Sequence, residues 1–92
     1  MAAEFEHDDH ILVQDGRTLE IFHRDVAGSS RFHVAFLGVH ATPHRDGFKV
    51  RVGRRHGEDA IVDGVRLTMS QERFAEFQKF IALAIAARDR TA

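Results

Sequence analysis

The sequence predicts an α+β domain in which an antiparallel β-meander of five to seven strands precedes one C-terminal amphipathic helix. Short β-prone runs with alternating hydrophobicity fill most of residues 11–69. Asp-Gly pairs, which favour tight turns, stand at residues 15–16, 46–47 and 63–64. A run with helical spacing of its apolar residues then covers about residues 70–88.

The length and composition indicate one compact domain. The chain has 92 residues, of which 43% are hydrophobic and 29% charged, and chains of this size form a single core. Residues 1–10 contain four acids and no Lys or Arg, so we expect a flexible acidic arm there and the domain over residues 11–90. This acidic start is unlike a secretory signal, and no apolar run is long enough to span a membrane. The cytoplasm is the expected location.

Asp15 and Gly16 separate the first two β-prone runs and predict a hairpin. An Asp-Gly pair suits a type I′ turn because both central residues of that turn need positive φ. With this pair at the centre of the turn, Leu12 would lie opposite Leu19 on one apolar face.

Residues 31–40 predict the next strand. Phe32, Val34 and Phe36 alternate with other residues and would share one face. The apolar phase then slips by one residue at Gly38, which predicts a bulge or a corner there.

The next strands alternate cleanly. Phe48, Val50 and Val52 alternate with Lys49 and Arg51, as in a half-buried antiparallel strand. Residues 60–62 and 65–69 form the last β-prone runs. Asp63 and Gly64 lie between them, and we expect a hairpin turn at this Asp-Gly pair, as at Asp15 and Gly16.

The helix has the clearest boundaries. Ser70 is a good N-cap, and Met69 and Phe74 have the spacing of a hydrophobic staple. Apolar residues then recur with helical spacing as far as Ile85, and Arg88 suits the C-terminal end.

Several phrases of the chain resemble small bacterial pleckstrin-homology-like (PH-like) domains. They are GRTLEIF at residues 16–22, RFHVAFLGV at 31–39, GFKVRV at 47–52 and the strand running into a helix at 65–87. The resemblance implies two antiparallel sheets that pack nearly at right angles, about seven strands, and a helix at one open corner. Members of this family bind lipids, peptides or one another without catalysing a reaction.

Catalytic motifs are missing from the sequence. It has no nucleophile elbow and no glycine-rich phosphate loop. The lack of cysteine excludes disulfides, thiolate zinc sites and iron–sulfur clusters. We therefore expect a protein that is not an enzyme and needs no cofactor.

Two histidines near the N-terminus form the sharpest candidate for metal chemistry. His7 and His10 enclose Asp8 and Asp9, and on a helix their spacing would place both imidazoles on one side. This pattern keeps open a small His-based metal-binding protein or a metal-dependent enzyme. The alternative is an ordinary solvated arm.

A basic set in the middle of the chain is the best candidate for ligand binding. Two of its residues share the solvent face of one strand, and three lie in the loops at its ends: Lys49 and Arg51, then Arg45, Arg54 and Arg55. They predict an anionic lipid or phosphate ligand, with membrane contact no more than peripheral. The alternative is a solvated face balanced by Glu58, Asp59 and Asp63. Nucleic acid is not expected, because the phenylalanines belong to the core.

The predicted helix is apolar over more than one stripe, which favours a partner. Phe77, Phe80 and Leu83 are the candidate contacts of a homodimer. The function that the sequence favours is therefore a non-enzymatic PH-like binding or scaffolding module, acting through protein–protein contacts and self-association.

Overall fold

The computed structural model describes residues 2–24, 29–57 and 60–91. Within them, seven strands precede one helix, and a 3-10 turn at Val34–Phe36 separates the fourth and fifth strands. The predicted α+β class, with antiparallel strands and a C-terminal helix, is confirmed. The elements are β1 Ala2–His7, β2 His10–Asp15, β3 Thr18–His23, β4 Ser29–His33, β5 Leu37–His44, β6 Gly47–His56, β7 Ala60–Ser70 and α1 Gln71–Thr91.

The strands form two antiparallel sheets. Sheet A has the order β1-β2-β3-β4, and sheet B has the order β5-β6-β7. One hydrophobic core unites their inner faces with one side of α1. Its fully buried side chains include Leu12, Leu19, Val50, Val52 and Phe77, and burying each of them contributes roughly 1.5–3 kcal/mol of transfer free energy.

The acidic N-terminal segment is a strand in the structure, which corrects the expected flexible arm. Residues 2–7 pair with β2 along their whole length. Phe5 is 5% exposed, and its ring lies 5.4 Å from that of Phe77. The acids Glu4 and Glu6 alternate with apolar residues, so they occupy the solvent side of a strand whose other side is buried.

The first predicted hairpin exists, but its turn lies one residue later along the chain. Gly16 and Arg17 are the central residues, since Asp15 pairs with Thr18. Gly16 has a φ of +59°, as the first central position of a type II′ turn requires. Leu12 therefore lies opposite Ile21 instead of Leu19. The partner of Leu12 is therefore two residues further along β3 than predicted. Because side chains alternate between faces with a period of two, the apolar residues still share the predicted face.

The strand predicted over residues 31–40 is two strands joined by a corner. Phe32 and Val34 are buried, but Phe36 is 56% exposed. The corner is the 3-10 turn, which His33 caps by accepting a hydrogen bond from the Ala35 amide at 3.0 Å. This turn carries the chain from sheet A to sheet B. The corner was predicted at Gly38, but it comes earlier in the chain, at Val34–Phe36.

The predicted turn at Asp63 and Gly64 is a bulge, because β7 continues through it as one strand. The register between β6 and β7 shifts between Val52 and Arg54. A Cβ on Gly64 would lie 2.7 Å from the Gly53 Cα, so glycine at 64 allows the two backbones to approach closely.

Helix α1 begins directly after β7. The Ser70 hydroxyl accepts a hydrogen bond from the Arg73 amide at 3.1 Å, which confirms the predicted cap. The helix extends three residues beyond the predicted end at 88. Among the helical residues that the structure describes, no stretch is both long enough and apolar enough to cross a membrane.

Candidate anion-binding face

The outer face of sheet B gathers basic side chains from all three of its strands. His40 of β5, Arg51 of β6 and Arg66 of β7 lie directly opposite one another in a cross-strand row. Lys49 lies in the next row, between two threonines. We call the following set the cationic face: His40, Lys49, Arg51, Arg55 and Arg66.

Strand alternation explains why these residues share one side. Val50 and Val52 are fully buried, so Lys49, Arg51 and Arg55 must point away from the core. The same rule places Arg54 on the other side of β6. There it lines a separate cleft with Arg31 and Phe36.

The structure therefore divides the basic set that the sequence predicted. Lys49, Arg51 and Arg55 belong to the cationic face, whereas Arg54 does not. Arg45 occupies the turn between β5 and β6, where its φ is +52°. The prediction that Arg54 and Arg55 lie in a loop is wrong, because β6 continues through both residues. Successive residues of a strand face opposite ways, so Arg54 and Arg55 lie on different sides of the sheet.

Two members of the cationic face were missed from the sequence. Arg66 alternates with the apolar residues of β7, which places it on the solvent side but does not show its neighbour. No motif in the sequence links His40 to the basic set. Only the register shows that both residues flank Arg51, and register between separate strands is set by tertiary packing.

The charges on this face repel one another. Arg51 lies directly opposite Arg66, and like charges in that position destabilise a sheet. Within the described ranges, no ion pair involves Lys49, Arg51, Arg55 or Arg66. Of the acids expected to balance the set, Glu58, Asp59 and the side chain of Asp63 lie outside the described part of the chain.

A cleft of about 440 Å³ opens at the β5 side of the cationic face. Its basic lining comes from His40, Arg51 and Arg55 of sheet B and from Arg88 of α1. The Arg51 guanidinium donates to the Ile61 carbonyl at 3.2 Å, and that of Arg88 approaches the Leu37 carbonyl at 3.4 Å. A neighbouring cleft of about 280 Å³ shares His40 and Arg51 and adds Lys49 and Arg66.

The two candidate metal ligands lie on a hairpin instead of a helix. His7 faces His10 across the turn between β1 and β2, and the His7 Nε2 atom lies 2.8 Å from the Thr68 carbonyl oxygen. His10 packs edge-on against His23, with ring centroids 4.5 Å apart. The residues that the structure describes contain no group of three or more His, Cys, Asp or Glu arranged to hold a metal ion.

Of the three helix residues predicted to contact a partner, two are buried in the core and one is exposed. Phe77 and Phe80 are 1% and 6% exposed and belong to the core, whereas Leu83 is 50% exposed. Expecting both phenylalanines at an interface was wrong, because the helix contacts β1 as well as all three strands of sheet B. Two sheets cover a wider arc of a helix than one sheet can.

Comparison with protein-family models, curated proteins and solved structures finds no match for this chain.

Proposed function

We propose that this chain is a non-catalytic PH-like module that binds anionic groups on the cationic face. One observation carries the proposal: the opposed Arg51 and Arg66 have no ion-pair partner among the described residues. Such an arrangement opposes folding. A bound anion relieves the repulsion, which explains why these charges occupy adjacent strands.

The order of elements supports the PH-like part of the proposal. The described residues form a four-stranded sheet, then a three-stranded sheet, then a C-terminal helix. The resemblance implies about seven strands, two sheets and a terminal helix. A module of that kind uses its outer surface for binding, because its interior is a packed core.

The side chains of the face support binding over catalysis. Guanidinium groups remain charged at all physiological pH values and donate hydrogen bonds without exchanging protons. Their planar forks match the oxygens of phosphate and carboxylate groups. The chemistry of the face is therefore recognition of an oxyanion, whether on a lipid headgroup or in solution.

A pair of double variants tests the proposal. Binding to phosphatidylserine vesicles and to pyrophosphate is measured at low salt for the wild type, for Arg51→Gln/Arg66→Gln and for the control Arg17→Gln/Arg90→Gln. The control removes the same charge from exposed positions off the face. Charge-assisted hydrogen bonds contribute roughly 1.5–3 kcal/mol each, so we expect the first variant to weaken binding by about tenfold or more and the control to retain it.

Two outcomes would refute this function. In the first, the wild type binds neither probe at low salt. In the second, both double variants weaken binding equally, which would show a response to total charge instead of to this face.

A further inference from the structure

We infer that the cationic face holds a phosphate monoester in the 440 Å³ cleft beside β5, and that the ligand is a small phosphorylated organic molecule. This inference rests on the proposed function and specifies its ligand. Arg51 and Arg55 of β6 and Arg88 of α1 belong to the lining of this cleft. We call it the Arg51 cleft.

Two glycines allow an apolar side chain to lie low in this cleft. Gly38 of β5 lies directly opposite Gly53 of β6, so the row between Arg51 and Arg55 carries no side chains on these two strands. A Cβ at Gly38 would lie 3.1 Å from Ile61 Cγ1, and a Cβ at Gly53 would lie 2.8 Å from Ile61 Cγ2. The Ile61 side chain therefore lies over the two glycines and contributes an apolar surface between Arg51 and Arg55.

The guanidinium groups are held in place before a ligand arrives. Arg51 is tied to the Ile61 carbonyl, and Arg88 approaches the Leu37 carbonyl at the edge of β5. The Arg88 Nε atom also lies 3.4 Å from the Asp89 carboxylate, so Arg88 is already engaged. A guanidinium has five N–H donors, so the bond to Ile61 leaves Arg51 donors for an anion. Holding a long side chain in advance reduces the conformational entropy that binding would otherwise cost.

The types of residue favour phosphate. Every basic residue in the cleft is arginine or histidine, and Lys49 lies outside it. Arginine forms paired hydrogen bonds with two oxygens of one phosphate, whereas lysine acts as a point charge. A dianionic phosphate ester also offsets more of the local positive charge than a carboxylate does.

The size and the apolar walls indicate an organic group beyond the phosphate. The volume of about 440 Å³ is in the range of small-molecule sites and exceeds what a single phosphate fills. Leu37, Val39 and Ile61 add apolar lining. A concave site of this size suits a small molecule, whereas a membrane surface would contact the side chains that project furthest from the face.

Matched single variants test this inference with phenyl phosphate as the probe. Arg55→Gln lies in the cleft, and Lys49→Gln removes the same charge from the same face outside it. Hydrogen bonds to a charged group are among the strongest single polar contacts. We therefore expect Arg55→Gln to weaken binding about tenfold or more, Lys49→Gln to weaken it clearly less because it removes only a more distant charge of the same face, and Arg55→Lys to restore only part of the affinity.

The outcomes separate failure of the inference from failure of the proposed function. Equal weakening by Arg55→Gln and Lys49→Gln would overturn the cleft but leave an anion-binding face. Binding to phosphatidylserine vesicles without binding to phenyl phosphate would replace the small molecule with a membrane. A stronger response to a phosphoserine peptide than to phenyl phosphate would replace it with a protein. No binding to any of these anions would refute both proposals.

Discussion

His10 occupies the middle of a histidine row that crosses β1, β2 and β3 at one end of the inner face of sheet A. It pairs with His7 on one side and with His23 on the other, and its Nδ1 atom is buried without a hydrogen-bond partner in the described residues. Burial lowers the pKa of His10, and the positive charge of His23 lowers it further, against the opposing effect of Asp9 and Asp8. Folding therefore favours the neutral imidazole.

The lowered pKa predicts a stability that depends on pH. The unfolded chain binds the His10 proton near its ordinary pKa of 6.5, and the folded chain binds it at a lower pH. The contribution of His10 is therefore complete above pH 6.5 and is lost as the pH falls through the folded pKa. We expect His10→Gln to lose less stability than the wild type between pH 7.5 and pH 5, as measured by urea unfolding. Parallel curves for the wild type and His10→Gln would contradict this account.

Phe5 tests the clearest difference between prediction and structure, because it lies in the segment that was predicted to be a flexible arm and is strand β1 in the structure. Its ring packs on Phe77, and the Arg73 guanidinium lies 4.2 Å from its centroid. We expect Phe5→Ala to destabilise the protein by about 3–5 kcal/mol, because it leaves a cavity beside the helix. Chemical denaturation measures this directly. A change of less than about 0.5 kcal/mol, typical of surface substitutions, would support the flexible arm instead.

Strands and helices that follow simple alternation were predictable, and those that depend on tertiary contacts were not. The inward valines of β6 and the Ser70 cap of α1 follow from local spacing and are as predicted. The corner after β4 was missed because three apolar residues in alternation look like a strand. The bulge at Gly64 was interpreted as a turn, since an Asp-Gly pair suits both structures.

The candidate site was predictable to a similar extent. Alternation placed Lys49 and Arg51 together on the solvent side of one strand. It could not show that His40 and Arg66 flank Arg51, because pairing between strands depends on the whole sheet. Arg88 was absent from the predicted set because it comes from a helix that packs beside β5.

The burial of α1 predicts which helix residues maintain the fold. Phe77→Ala should lower the free energy of unfolding by about 3–5 kcal/mol at any protein concentration, because Phe77 is 1% exposed. Leu83→Ala is the matched control on the exposed side and should change it by less than about 0.5 kcal/mol. Denaturation at two protein concentrations compares them. Equal effects of the two substitutions would contradict the orientation of the helix.

Charge is distributed unevenly over the whole molecule. The formal net charge is only −1, yet the cationic face lies on sheet B. Acids on β1 and its turn, such as Glu4, Glu6 and Asp8, lie on the exposed side of sheet A. The positive potential is therefore local to sheet B. It should be strongest at low ionic strength, since salt screens charges over about 10 Å at 0.1 M.

Self-association, expected from the sequence, remains a prediction for the whole molecule. Of the three helix residues first considered, Leu83 is exposed, and the edge strands of the two sheets offer a second route. Sedimentation of the wild type over a hundredfold range of concentration, beside Leu83→Glu, tests both. We expect the wild type to form a dimer. If α1 forms the dimer interface, Leu83→Glu should weaken that dimer. A wild type that stays monomeric throughout would contradict self-association.

The cationic face is the central claim, and amide chemical shifts of the isotope-labelled wild type test it most directly. Pyrophosphate is added at low salt and again at about 0.2 M salt, where screening is stronger. The account predicts shifts confined to β5, β6, β7 and the C-terminal end of α1, greatest around Gly38 and Arg51, and much reduced at the higher salt. Shifts centred on sheet A, or no shifts at low salt, would contradict it.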